Sequence, residues 1–171
     1  MSKISKELAK EAKKKGICES WYKELQTIED KREMIAMYLK GIDFCLMNDY
    51  PSNDYIRLNF KDIINEFGIY LDDNFNICNI KKCILLGFTK GYIEINNFNV
   101  SEIFVKNESI LNITAKNNSF VMIDVFDNSK ITVKAQDNAK VCINKYGNAI
   151  VDIIKNDLAI IKIIEKNKKT Y

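Results

Sequence analysis

Residues 101–140 have the sequence SEIFVKNESI LNITAKNNSF VMIDVFDNSK ITVKAQDNAK, four blocks of ten residues that share one pattern. The same register holds over nine blocks, from residue 81 to residue 170. The third position of the blocks is occupied by Cys83, Ile93, Ile103, Ile113, Ile123, Val133, Ile143, Ile153 and Ile163. A repeat this regular indicates a stack of equivalent structural units.

Two further positions of the block indicate a corner. The seventh position carries residue types that tolerate a left-handed backbone. These residues are Gly87, Asn97, Asn107, Asn117, Asp127, Asp137, Gly147, Asp157 and Asn167. The ninth position is small from the third block to the eighth, with Ser109, Ser119, Ser129, Ala139, Ala149 and Ala159. We interpret this pattern as a bend followed by a small inward side chain.

The alternation between these corners is typical of β-strands with one buried face, because positions nine, one, three and five are apolar or small and positions two, four and six are mostly polar. Two architectures have one strand and one turn in each block: an antiparallel meander with hairpin turns, and a parallel β-solenoid. We favour the solenoid, because stacked coils bring like residues together into ladders and benefit from repetition.

The amino-terminal half has helical patterns. Gly16, Gly41 and Gly68 each follow such a pattern and predict its end. Thr27 with Asp30 resembles a capping box, and Ser52 is expected to cap a helix that continues to Phe67. The fold class predicted is α+β, with a helical domain at residues 1–80 followed by a parallel β-helix (β-solenoid) with a ten-residue repeat at residues 81–171.

A contact surface follows from the coil length. If two blocks make one coil, residues i and i+20 stack, and Phe126 lies directly under Tyr146. One outward face then carries Phe104, Met122, Phe126, Cys142, Tyr146 and Ile164. An apolar stripe on a soluble solenoid predicts an oligomer or partner interface. The alternative is that these outward side chains have no such role, and three blocks per coil would scatter the stripe.

The two ends of a solenoid expose unpaired strand groups that invite stacking by another molecule. The lysine-rich residues 166–171 are expected to discourage addition at the last coil. The helical half is either a cap on the first coil or a docking module, and the sequence leaves both alternatives open.

Several kinds of chemistry are excluded or disfavoured. The chain of 171 residues has no histidine, which removes Ser-His-Asp and Cys-His nucleophiles and His-ligated zinc. Five cysteines form no C-x-x-C pair, and we expect free thiols. Asp72 and Asp73, and the group Asp43, Asp49 and Asp54, have no calcium-loop spacing. We therefore predict no catalytic residue, no cofactor and no metal.

Charge and hydropathy bear on partners and location. The net charge of +3 argues against a nucleic-acid partner, and no apolar run predicts a membrane span or a signal peptide. We expect partners to be other copies of the chain or other proteins.

A family resemblance is carried by residues 41–57 (GIDFCLMNDYPSNDYIR), by CESWY at residues 18–22, and by the repeats SEIFVKNES, FVMIDVFDNS and DNAKVCINKYG. Together they resemble a family of small proteins encoded by gut bacteria and by their phages and prophages. Phage particles use repetitive solenoids as fibres or decorations, commonly as trimers. The resemblance therefore implies a non-enzymatic structural protein of a virion, found in the particle or in the cytoplasm of the host.

Two alternatives remain beside this function. One is a cytoplasmic scaffold that polymerises end to end through its coils, against which a helical cap on the first coil would argue. The other is an enzyme or ligand-binding regulator with a pocket between the two halves, in which Glu or Asp would act without histidine.

Overall fold

The computed structural model describes residues 2–171, which form two compact units. The first unit ends at Phe67 and also takes in Tyr171, and the second unit spans Gly68–Thr170. The division falls at residue 68, earlier than the boundary after residue 80 that the repeat predicts. The reason is that the first strands of the solenoid precede the first ten-residue block.

The described part of the first unit contains five α-helices and a short 3-10 helix. They are α1 (Lys3–Lys14), α2 (Glu19–Thr27), α3 (Lys31–Lys40), α4 (Ile42–Asn48), α5 (Asn53–Asn59) and the 3-10 helix Ile64–Phe67. The apolar face of α1 buries Leu8, Ala9 and Ala12. Because short helices have little stability alone, burial of such faces against one another stabilises this unit.

Two helix ends differ from the sequence prediction. The cap of α3 is Asp30, whose carboxylate accepts the N–H of Arg32, whereas Thr27 is the last residue of α2. Ser52 does cap α5, because its Oγ accepts the N–H of Tyr55 at 3.3 Å. The helix ends at Asn59 rather than near Phe67.

Residues 68–170 form eleven β-strands. They are β1 (Ile69–Leu71), β2 (Asn74–Cys78), β3 (Lys82–Leu86), β4 (Lys90–Ile95), β5 (Val100–Val105), β6 (Ile110–Ala115), β7 (Phe120–Val125), β8 (Lys130–Ala135), β9 (Lys140–Tyr146), β10 (Ile150–Lys155) and β11 (Ile160–Lys166). The odd strands form one sheet in chain order and the even strands form the other. Neighbouring strands pair in parallel, as in β5 with β7 and β6 with β8.

The register of the sheets identifies a parallel β-solenoid and rejects the meander. Ile103 pairs with Ile123, Ile123 with Ile143, and Ile143 with Ile163, so residues i and i+20 are neighbours. The solenoid has about five turns of about 20 residues each. The structural repeat is therefore one coil of about 20 residues, and the predicted ten-residue repeat is not confirmed.

The first coil is shorter than the others. Ile69 pairs with Ile84 and Asn74 with Lys90, so the partners are closer in sequence than Ile103 and Ile123 are. Strand β1 of this coil consists of three residues, all buried. The shorter spacing explains why the ten-residue pattern does not extend back over β1 and β2.

The solenoid core is built from the inward side chains of both sheets. Ile103, Ile123 and Ile143 are fully buried, and so are the small residues Ser109 and Ala139 of the corners. The predicted left-handed corners are present: Asn97, Asn107, Asn117, Asp127, Asp137 and Asp157 have φ between 55° and 64°. Gly87 and Gly147 have the same conformation.

Candidate contact surfaces

Three of the six residues predicted to form the contact stripe are buried. Phe104 is 3% exposed, Phe126 0% and Tyr146 4%. The prediction that these side chains form an exposed interface is therefore wrong. Strand alternation does not extend to Phe126, because β7 ends at Val125 and the next residue lies in the corner.

The stacking predicted for Phe126 and Tyr146 is nevertheless present, inside the protein. Their ring centroids are 4.7 Å apart and their planes are inclined by 19°. The ammonium of Lys106, one coil earlier, lies 5.6 Å from the ring centroid of Phe126 and 3.1 Å from Oδ2 of Asp127. We call Lys106, Phe126 and Tyr146 the corner column, and it stabilises the solenoid by burying aromatic surface.

The other three predicted residues are more accessible. Met122 is exposed and Cys142, its partner in register, is half-buried. Ile164 is half-buried beside Asn144. Because the three aromatic residues of the predicted stripe are buried, these three residues do not form an aromatic surface with them.

Exposed apolar side chains lie instead at a corner that the stripe did not include. Phe98 is 80% exposed, and Val100 and Phe120, which pair in register, are also exposed. Phe98 is at the eighth position of its block, and Val100 and Phe120 are at the tenth. These positions are not among those whose side chains point into the core. The sequence does carry a signal for them: Phe98 stands where later coils have Asn118 and Asn138, and Phe120 stands where the next coil has Lys140.

The last coil presents a second accessible apolar surface. Strands β10 and β11 are the outermost strands of their sheets, and we call them together the C-terminal edge. Ile153 is 45% exposed and Ile163 is 37% exposed. Their partners in register one coil earlier, Val133 and Ile143, are fully buried.

The lysine-rich segment after β11 does not bury this edge. The carbonyl of Lys168 accepts the N–H of Gly147 at 3.2 Å, which holds the segment at one corner. Ile153 and Ile163 remain accessible.

A ladder of hydrogen bonds connects the corners of successive coils. The backbone N–H of Gly87, Asn97, Asn107, Asn117 and Asp137 donates to the side-chain oxygen of Asn107, Asn117, Asp127, Asp137 and Asp157, respectively. The donor–acceptor distances are 2.8 to 3.0 Å. Gly147 interrupts the ladder, because it offers no side-chain acceptor to the N–H of Asp127.

The cysteines are free thiols. Burial raises the pKa of Cys45 to about 12 and also raises the pKa of Cys83. A thiol with so high a pKa stays protonated near neutral pH and is a poor nucleophile. The hydroxyl of Ser20 lowers the pKa of Cys18, which is exposed.

Two of the acidic residues that were considered as metal ligands, Asp72 and Asp54, have structural partners in the protein. Oδ1 of Asp72 accepts the N–H of Phe88 at 2.9 Å, and Asp54 forms an ion pair with Arg57. Asp49 has a left-handed backbone at the end of α4. Within residues 2–171 there is no group of three or more Cys, Asp or Glu side chains that could hold a metal ion.

The helical unit contains a cavity of about 400 Å³. Its lining includes Glu7, Glu11, Lys15, Asp49 and Tyr55. The Tyr55 hydroxyl donates to Oε2 of Glu7 at 3.0 Å, and burial, aided by that bond, raises the pKa of Tyr55. No helix among residues 2–171 has the length and apolar character needed to cross a bilayer.

The fold and these surfaces define a protein with a helical unit followed by a parallel β-solenoid. No protein-family model matches the chain, and no curated protein and no solved structure matches it.

Proposed function

We propose that the protein is a non-enzymatic structural protein of a phage or prophage particle, attached to the capsid or tail as a fibre or decoration. The helical unit docks on the particle, and the solenoid is a stiff rod whose length is set by ten-residue half-coils. The protein is then located in the virion, or in the host cytoplasm before assembly.

The observation that carries this proposal is the continuity of the solenoid. Parallel strand pairs join each coil to the next, and the corner ladder adds hydrogen bonds between residues i and i+20. Because each coil binds its neighbours through both backbone and side chains, the solenoid resists bending and local unfolding. The family resemblance supports the assignment of this rod to a phage particle.

A non-enzymatic role is supported by the state of the reactive groups. The buried thiols of Cys45 and Cys83 have raised pKa values, and the chain has no histidine to activate a nucleophile. The carboxylates of Asp72 and Asp54 bind a backbone N–H and an arginine. Such partners are typical of structural carboxylates.

Docking through the helical unit is supported by exposed apolar side chains. Leu58 of α5 is strongly exposed, and Met47 of α4 is partly exposed. Exposed leucine on a helix contributes nothing to the core of its own unit, so Leu58 is suited to bury against another protein.

The test uses particles released from a host whose prophage carries the gene. Purified particles are analysed by mass spectrometry, and the wild-type protein is expected in a fixed ratio to the major shell protein. Leu58→Lys should lower its amount in particles by about tenfold or more, because a charge replaces buried apolar area. Ile110→Glu on the solenoid, which places a carboxylate between Lys90 and Lys130 in register, is the matched control and should leave incorporation unchanged. Wild-type protein found only in the unassembled fraction would contradict the proposal.

A second candidate is a cytoplasmic scaffold that assembles through its coils. The specific observation in its favour is the exposed C-terminal edge with Ile153 and Ile163. Sedimentation of lysates from cells that contain no phage particles separates the two functions, because only a scaffold forms large assemblies in such cells.

A further inference from the structure

The C-terminal edge has the features of an unfilled position in a β-stack. Its outermost strands carry Ile153 and Ile163 at the third block position, where the preceding coils have Val133 and Ile143 fully buried. Exposed side chains of this type become buried when a further coil is added. The edge is therefore apolar at its centre and suited to contact another β-structure.

The backbone of the edge is also available for pairing. Ile150 donates its N–H to the carbonyl of Ser129, and Ile160 donates to that of Ala139, both one coil earlier. Alternate residues of a parallel strand direct their N–H and C=O groups to opposite neighbours. The N–H groups of Ile153 and Ile163 consequently point away from the preceding coil, toward the open side of the edge.

The shape of the partner is set by the coil. A surface that continues the stack needs two strands with the same separation as β10 and β11, which belong to a full-length coil. The first coil of another copy does not match, because it is shorter and its strand β1 is buried along its length. The surface of this chain that does match is the C-terminal edge of a second copy.

Charge selects how two such edges meet. On the outward face β10 carries Asp152, which also lies 3.5 Å from the ammonium of Lys130 one coil earlier. The outward face of β11 carries Lys162 and the half-buried Lys166. Two charges at inward positions are also exposed: Lys155 of β10, and Glu165 of β11, which pairs with Lys145. If β11 paired with its own copy, lysines would face lysines. A two-fold axis along the strands instead sets β10 of one copy antiparallel to β11 of the other, which brings Asp152 toward Lys162 twice.

We propose that the protein forms a closed homodimer through its C-terminal edges. Strand β10 of each copy adds to strand β11 of the other, so that Ile153 of one copy and Ile163 of the other form a hydrogen-bonded antiparallel pair. The two inner faces become continuous across the dyad. This proposal goes beyond the particle role and does not depend on which particle contains the protein. It excludes the end-to-end scaffold, because the dimer closes the same edge.

The test measures the mass of the full chain by light scattering after gel filtration at micromolar concentration. The expected mass is about 40 kDa, twice the 19.8 kDa of one chain. Ile153→Lys or Ile163→Lys should raise the dimer dissociation constant by about tenfold or more, because each buries an unpaired charge in the edge. Ile110→Glu, which places a carboxylate at an exposed isoleucine between Lys90 and Lys130 in register, is the matched control and should stay dimeric.

A charge exchange tests the arrangement of the strands and does not depend on the isoleucine variants. Asp152→Lys and Lys162→Asp should each weaken the dimer, and the double variant should restore it. A monomer in the wild-type chain, or an open-ended series of masses, would overturn the proposal. Failure of the double variant to recover, or a dimer insensitive to Ile163→Lys, would also overturn it.

Because particle incorporation is measured separately with Leu58→Lys, failure of the dimer and failure of the structural role are distinguishable. A protein that is monomeric but incorporated would reject the dimer alone. A dimer that is absent from particles would reject the particle role alone.

Discussion

The buried hydroxyl of Ser119 differs from that of Ser129, although both occupy the ninth block position. Ser129 Oγ lies within hydrogen-bond distance of the backbone carbonyl oxygens of Phe126 and Val105, to which it can donate. Ser119 Oγ, in contrast, has no hydrogen-bond partner among residues 2–171. Ser119→Ala should therefore raise the free energy of unfolding by about 1 kcal/mol, because a desolvated hydroxyl is removed. Ser129→Ala should lower it by about 1 kcal/mol. Urea denaturation followed by circular dichroism measures both, and equal effects of the two variants would contradict the prediction.

Gly147 is the place where one residue could complete the corner ladder. Its φ is +58°, and a Cβ built there would lie 3.7 Å from the nitrogen of Asp127, an ordinary contact. Gly147→Asn should stabilise the protein by about 1 kcal/mol, because asparagine tolerates this backbone and can accept the N–H of Asp127. Thermal unfolding checks the sign.

Two controls show whether the new acceptor is responsible. Gly147→Ala should lower the melting temperature, because alanine is strained in the left-handed region and has no acceptor. Gly87→Asn should destabilise strongly, since a Cβ there would collide with the carboxylate of Asp72. A higher melting temperature for Gly147→Ala than for Gly147→Asn would contradict the ladder argument.

At the scale of the element, the corner column is expected to stabilise the solenoid rather than join subunits. Phe126→Ser removes a fully buried ring that stacks on Tyr146. It should lower the free energy of unfolding by about 3 kcal/mol or more, because a cavity and a polar group replace the ring. Met122→Ser, on the exposed side of β7, should change stability by less than about 1 kcal/mol. Denaturation curves and light scattering together test this, and a loss of dimer with unchanged stability would contradict it.

Elements were predictable from the sequence where one residue type recurs at one structural position. Period and parity fitted both a meander and a solenoid, and recurrence of one residue type favoured the solenoid, in which Ile103, Ile123 and Ile143 do occupy equivalent places. The first coil was not predictable in this way, because its shorter spacing does not continue the repeat. The corner column shows the same limit: burial of Phe126 depends on its place in a corner, which strand alternation does not describe.

The candidate surfaces were predictable only in part for a related reason. The sequence identified the ends of the solenoid as sites of unpaired strand groups, and Ile153 and Ile163 do lie exposed there. The lysine-rich residues 166–171 were also predicted to protect that end. The Lys168 carbonyl accepts the N–H of Gly147 at a corner, and Ile153 and Ile163 remain exposed.

At the scale of the whole molecule, the proposed dimer makes the C-terminal edge the place where protection from hydrogen exchange should change. The N–H groups of Ile150 and Ile160 already donate to the preceding coil, so their exchange is slow with or without a second copy. The N–H groups of Ile153 and Ile163 point to the open side and gain an acceptor only in the dimer.

Comparison of the wild type with a variant that weakens the dimer isolates this effect. In Lys162→Asp, the amides of Ile153 and Ile163 should exchange about tenfold or more faster than in the wild type, while the amide of Ile160 changes little. Amide exchange resolved by NMR, at matched pH and concentration, gives each rate. Because the substitution lies on the outward face of β11, general destabilisation of the coil would accelerate Ile160 as well. A uniform acceleration would therefore contradict strand addition at the edge, and a selective one would locate the dimer interface on the strands that carry these two isoleucines.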